Sequence, residues 1–177
     1  LYNFLSEGRS FLDDVLAGLA RPQKALPPKY FYDARGCELF EKVCELPGYY
    51  PAGAEIAIMR EYAGAMAKFL GPDCQLIEFG PGSCKRTRIL IEALQPPLYV
   101  LVHADGEAMK ATADGLEQLF PWLNIVGVCA DYAKSVALPE FVGIPIRKKA
   151  VYFPGSDLDH FAPEEAIAVL QLARRMV

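Results

Sequence analysis

Apolar positions along the first 70 residues recur at helical spacing. Between Asn3 and Leu19 they fall at Phe4, Leu5, Phe11, Leu12, Val15, Leu16 and Leu19, which predicts a helix ending in a Pro-rich break at Pro22, Pro27 and Pro28. A second helix is predicted over Cys37 to Leu46, where Leu39, Phe40, Val43 and Leu46 share one face until Pro47-Gly48 stops it. Tyr49-Tyr50-Pro51 reads as an aromatic loop, and Glu55 to Leu70, rich in Ala and Met, as a third helix closed by Gly71-Pro72. Beyond Gln75 the period changes. Short apolar runs at 75–79, 99–104, 124–129 and 150–154 alternate with helical segments near 85–94 and 107–120, and a last helix follows Pro163. Alternation of this kind builds βαβ units. Four parallel strands are therefore expected, with right-handed crossovers and a binding crevice at the strand C-terminal ends.

Polar residues collect at those ends: Glu78, His103, Asp105, Asp131 and Ser156. The first run closes on Glu78-Phe-Gly-Pro-Gly82, where Gly80 and Gly82 permit positive φ and close approach of a ligand to the backbone. A dinucleotide fingerprint would carry a third small residue further on, but Cys84 and Lys85 stand there and no P-loop Gly-Lys-Ser/Thr follows. Phosphate binding is thereby disfavoured, and a phosphate-free nucleoside fits better. S-adenosylmethionine is one such ligand, since a carboxylate at the strand tip can accept from its ammonium group while a glycine turn admits its methionyl arm. The turn taken alone also reads as a plain tight connection.

Composition narrows the class. With 177 residues, 53% of them hydrophobic, the chain can bury one sizeable core. A net charge of -4 provides no basic footprint for nucleic acid. No apolar stretch approaches the roughly 20 residues of a membrane helix, and no signal peptide is visible, so a cytoplasmic protein is expected. Cys37, Cys44, Cys74, Cys84 and Cys129 are odd in number, scattered and without CxxC spacing, which points to reduced thiols rather than disulfides or zinc. The pairs His103 with Asp105 and Asp159 with His160 lack a third ligand or a nucleophile motif, so no metal is expected.

In order along the chain, Phe31-Tyr-Asp33, Leu46-Pro-Gly-Tyr-Tyr-Pro51, Glu78-Phe-Gly-Pro-Gly82, Lys85-Arg-Thr-Arg88, Val128-Cys-Ala-Asp-Tyr132 and Phe153-Pro-Gly-Ser156 resemble the histidine-specific, S-adenosylmethionine-dependent methyltransferases of ergothioneine biosynthesis. The likeness runs from about Pro27 to the last residue. It implies an α/β fold with a Rossmann-like methyltransferase sheet: residues 1–70 as an N-terminal helical segment with an aromatic substrate loop, and 71–177 as a partial Rossmann-like S-adenosylmethionine-binding domain. It also implies an enzyme that transfers three methyl groups to the α-amino nitrogen of L-histidine. Carried over by position, Gly80 and Gly82 would line the methionyl part of the cofactor, with Arg86 at the basic cofactor contact and Tyr32 beside it. Asp131 and Tyr132 match the adenine-binding pair, and Tyr49 the tyrosine that contacts the histidine substrate.

Three positions depart from the family. His103 stands where an acidic residue bonds the ribose hydroxyls, and a neutral imidazole serves only one of them. Asp105 shares its strand parity but reaches the ribose only if the strand ends early or bulges. In Gly155-Ser-Asp-Leu-Asp-His-Phe161, His160 replaces the Asn that holds the substrate, and Ala52-Gly53 replaces a Thr-Arg pair. The family also continues past the fourth strand with more sheet and most of the acceptor pocket. The expectation is therefore a truncated or degenerate form of the enzyme with an incomplete sheet. The alternative is a non-catalytic binding or interaction protein that retains the fold.

Overall fold

The computed structural model describes residues 2–4, 10–27, 30, 34–80, 85–131, 136, 138–155 and 157–177, with the side chains at 34, 37 and 157 outside the description. Five parallel strands form one sheet: β1 (Tyr2–Asn3), β2 (Cys74–Phe79), β3 (Leu98–His103), β4 (Asn124–Cys129) and β5 (Lys148–Tyr152), in the order β1-β4-β3-β2-β5. Helices α1 (Phe11–Ala20), α2 (Ala34–Cys44) and α3 (Tyr50–Leu70) precede β2. Helices α4 (Lys85–Leu94) and α5 (Gly106–Leu119) form the crossovers, and α6 (Pro163–Met176) follows β5. From β2 the chain steps out to β3 and β4, then returns to place β5 on the other side of β2. This reversal between β2 and β5 is the topological switch point, where open α/β sheets bind ligands.

Strand alternation divides the core. On one face Leu76, Tyr99 and Leu101 pack with Met59 of α3, Leu90 and Ile91 of α4, and Met109 and Leu116 of α5. On the other, Ile77, Phe79, Val100, Val102 and Val128 pack with Val169 of α6 and with Val136, Leu138, Phe141 and Ile144 of the segment before β5. β2 and most of β3 are buried on both faces, as continuous apolar runs in a parallel sheet require. Among the described residues no helix is long and apolar enough to cross a membrane.

Several sequence expectations are corrected. The sheet has five strands rather than four, because Tyr2–Asn3 pairs with Val128 and Cys129 and covers an edge of β4. The first 70 residues are thus not wholly helical, and α1 starts at Phe11, where Ser10 and Asp13 form a capping box, rather than at Asn3. Tyr50 and Pro51 open α3 instead of forming a loop, since proline's fixed φ suits a first helical turn. β5 lies at 148–152 rather than 150–154. Its register sets Lys148 opposite Cys74 and ends before Pro154, which has no N–H for a ladder.

Candidate functional site

Three neighbouring strand ends bring the candidate residues together. Gly80 follows β2 with φ +62°, a left-handed value that glycine adopts without penalty, and its N–H donates to Val102 O at 3.0 Å. His103 ends β3 opposite Cys129, and Ala130 N–H donates to His103 O at 3.0 Å, which extends the ladder one residue past β4. Asp131, half-buried, comes next. Gly80, His103 and Asp131 thus stand at the C-terminal ends of β2, β3 and β4, about one strand spacing apart in sequence of strands.

His103 and Asp105 stand in different surroundings. Asp105 caps α5: its Oδ1 accepts from Glu107 N–H at 2.9 Å and from Ala108 N–H at 3.0 Å. β3 keeps regular register through His103, without the bulge that would carry Asp105 to the crevice. The Asp105 N–H donates to His103 Nδ1 at 2.9 Å, and Asp105 O lies 3.1 Å from the same nitrogen. The ring of His103 is thereby held by the Asp105 backbone at the end of β3.

Glu78 is not the exposed strand-tip carboxylate the sequence suggests. It is 1% exposed, with Oε1 accepting from Thr87 Oγ1 at 2.8 Å and Oε2 from the Tyr99 hydroxyl. Even-numbered residues of β2 point into the α3–α4 side of the core, so its parity carries it inward. Burial pushes its pKa up from 4.5 to about 7, against the lowering effect of the Tyr99 and Thr87 hydroxyls and the Arg86 charge. Tyr152 of β5 lies nearby; its pKa is also raised, first by burial and then by Glu78 and Glu55.

Arg86, in the first turn of α4, is ion-paired through Nη1 with Glu55 of α3, with side chains 17% and 30% exposed. Beside it Lys85 Nζ reaches Glu41 of α2 at 3.3 Å. Tyr49 is the residue before α3, its ring edge-on to Phe40 at 6.1 Å, and so it sits about Phe40 as much as about any open site. His160 closes a 3-10 turn, Asp157–His160, after β5 and is exposed, as is Asp159. Tyr32, Gly82, Tyr132 and Ser156 lie outside the described residues. Glu55, Thr87 and Tyr99 escaped the sequence reading. A hydroxyl inside the apolar run 98–103 was a usable signal for Tyr99, whereas Glu55 meets a partner 31 residues away and left none.

The amino-acid sequence is similar to known proteins. The family described as histidine-specific methyltransferase, SAM-dependent, matches residues 11–177. The chain is 37% identical over 155 residues to a histidine N-alpha-methyltransferase of Mycobacterium tuberculosis, covering 85% of this chain and 46% of that protein. It is 31% identical over 170 residues to a histidine N-alpha-methyltransferase of Mycolicibacterium smegmatis, covering 92% of this chain and 51% of that protein. An ergothioneine biosynthesis protein 1 of Neurospora crassa is 34% identical over 172 residues, covering 90% of this chain and 19% of that protein. The chain spans about half the length of the two mycobacterial relatives.

Proposed function

The chain belongs to the histidine-specific, S-adenosylmethionine-dependent methyltransferases, and from that premise we propose that it forms the donor-binding part of an N-methyltransferase acting on the α-amino group of a histidine-like amino acid. The family match over residues 11–177 carries this reading. It is supported by the convergence of Gly80, His103 and Asp131 at adjacent strand ends. These residues suit the donor: a positive-φ glycine leaves room for a ligand arm, an imidazole nitrogen bonds a hydroxyl, and a carboxylate accepts from an exocyclic amine.

When bound, S-adenosylmethionine supplies a methyl group on a cationic sulfur to an uncharged amine. The chain's own part is positioning and exclusion of water. By position in the family pattern, Gly80 and Gly82 would hold the methionyl arm and Arg86 and Tyr32 its charged end. His103 would serve a ribose hydroxyl, Asp131 would accept from the adenine amine, and Tyr132 would serve the base. Tyr49 and His160 serve the acceptor. Residues 1–70 carry Tyr49 on the acceptor side, and 71–177 most of the donor site. A reducing cytoplasm suits Cys44, Cys74 and Cys129, which are unpaired; nucleic acid and membrane have no part.

A second reading is a binding protein on the same fold without transfer activity. The loop Asp157–His160 favours it, because two carboxylates and an imidazole occupy the place of the family's small and amide residues. Isothermal titration with S-adenosylhomocysteine and with L-histidine separates the two. The enzyme reading expects heat from both ligands, and the second reading from the nucleoside alone. A chain that binds neither overturns both.

A further inference from the structure

Glu55 joins three elements at the switch point of the sheet. From α3, its Oε2 receives the Arg86 guanidinium at the start of α4, and its Oε1 accepts from the Gly155 N–H at 2.9 Å in the loop after β5. Gly155 has φ +78°, and a Cβ there would meet Arg86 Nη1 and Nη2 at 3.5 Å, so the loop backbone lies directly against the guanidinium. The next residue of α4, Thr87, is held by Glu78 of β2. Two carboxylates from different elements thus fix the helical turn into which the chain from Gly80 runs, and one of them also holds the loop that leads to His160.

A planar carboxylate with each oxygen engaged by a different element transmits displacement, since moving one partner rotates the group and weakens the other bond. Nη1 serves Glu55, and a guanidinium has four further N–H donors through which a carboxylate of the donor is reached. We propose that Glu55 is a positioning residue that couples the first turn of α4 to the loop after β5, so that binding of the donor steadies Gly155 and the turn Asp157–His160. The turn carrying His160 is then held more firmly for the acceptor when the donor is present. This rests on the donor site proposed above.

The test is hydrogen exchange at 85–88 and 155–161 with and without saturating S-adenosylhomocysteine, together with titration of that ligand. In the unsubstituted chain the ligand should slow exchange in both segments. With Glu55→Ala, affinity should fall about tenfold, and at saturation the slowing should persist at 85–88 and vanish at 155–161. Glu55→Gln keeps an oxygen for the Gly155 N–H and should restore most of the slowing at 155–161. Should Glu55→Ala fail to fold, Glu55→Asp carries the test, being one methylene too short to reach both partners. A merely structural role would lower the melting temperature and loosen both segments alike whether or not ligand is present; that result overturns the coupling. So does slowing at 155–161 that survives Glu55→Ala, or that is absent from the unsubstituted chain while the ligand binds. No binding by the unsubstituted chain overturns the donor site and this inference together.

Discussion

The end of β3 presents a choice that a single substitution can read. With His103 directed by the Asp105 N–H and Asp105 engaged in capping α5, His103→Asp should tighten S-adenosylhomocysteine binding, because a carboxylate accepts from two ribose hydroxyls. Asp105→Ala should leave affinity within about threefold and lower stability by about 1 kcal/mol, the usual cost of a lost N-cap. Titration and urea unfolding of both variants check this, and a loss of affinity in Asp105→Ala larger than in His103→Ala would reverse the assignment. Glu78 adds a pH dependence. Its pKa is about 7 in the folded chain against an ordinary 4.5, so between these values the folded chain holds a proton that the unfolded chain has released. Stability should fall as pH rises through that window, by up to about 3 kcal/mol, and level off above it. Glu78→Gln, neutral at every pH, should remove this slope in urea unfolding at pH 5, 6, 7 and 8; an unchanged slope would show that other groups cause it.

Among the elements, α4 is the one on which the site depends. Its first turn carries Lys85, Arg86 and Thr87, each bonded to a carboxylate of a different element, while Thr87, Leu90, Ile91 and Leu94 form its buried face. Ile91, fully buried, sits in the core shared with α3 and α5. Ile91→Ala should leave a cavity and cost about 3 kcal/mol, within the range for such truncations. It should also weaken nucleoside binding, since the helix that holds Arg86 loses its footing. Chemical denaturation measures the first effect and titration the second; a destabilised variant with full affinity would separate the helix from the site. The βα pattern, the α4 and α5 spans and the strand at 124–129 were legible from apolar periodicity. The two-residue strand β1 was not, because so short a run has no period and exists only by pairing with Val128 and Cys129.

At the scale of the whole molecule, surface is the outstanding quantity. Apolar side chains stand exposed on two helices: Phe11, Leu12 and Leu16 of α1 are each about three-fifths exposed, and Ile167 and Leu170 of α6 are about half exposed. The chain in isolation should therefore enhance the fluorescence of an apolar-surface dye under native conditions, and Leu12→Glu with Leu16→Glu should reduce that enhancement. Fluorescence at the level of a compact monomer would show these faces to be covered. The amino-acid sequence by itself determined the α/β class, the glycine turn at Gly80, and the place of His103 and Asp131 at strand ends, because periodicity and turn chemistry are local properties. Only the tertiary structure decided that Glu78 points inward, that Asp105 caps a helix, and that Glu55 reaches Arg86 and Gly155. Those outcomes depend on which face of β2 meets α3 and on how β5 returns beside β2, and neither is encoded within the span of any one element.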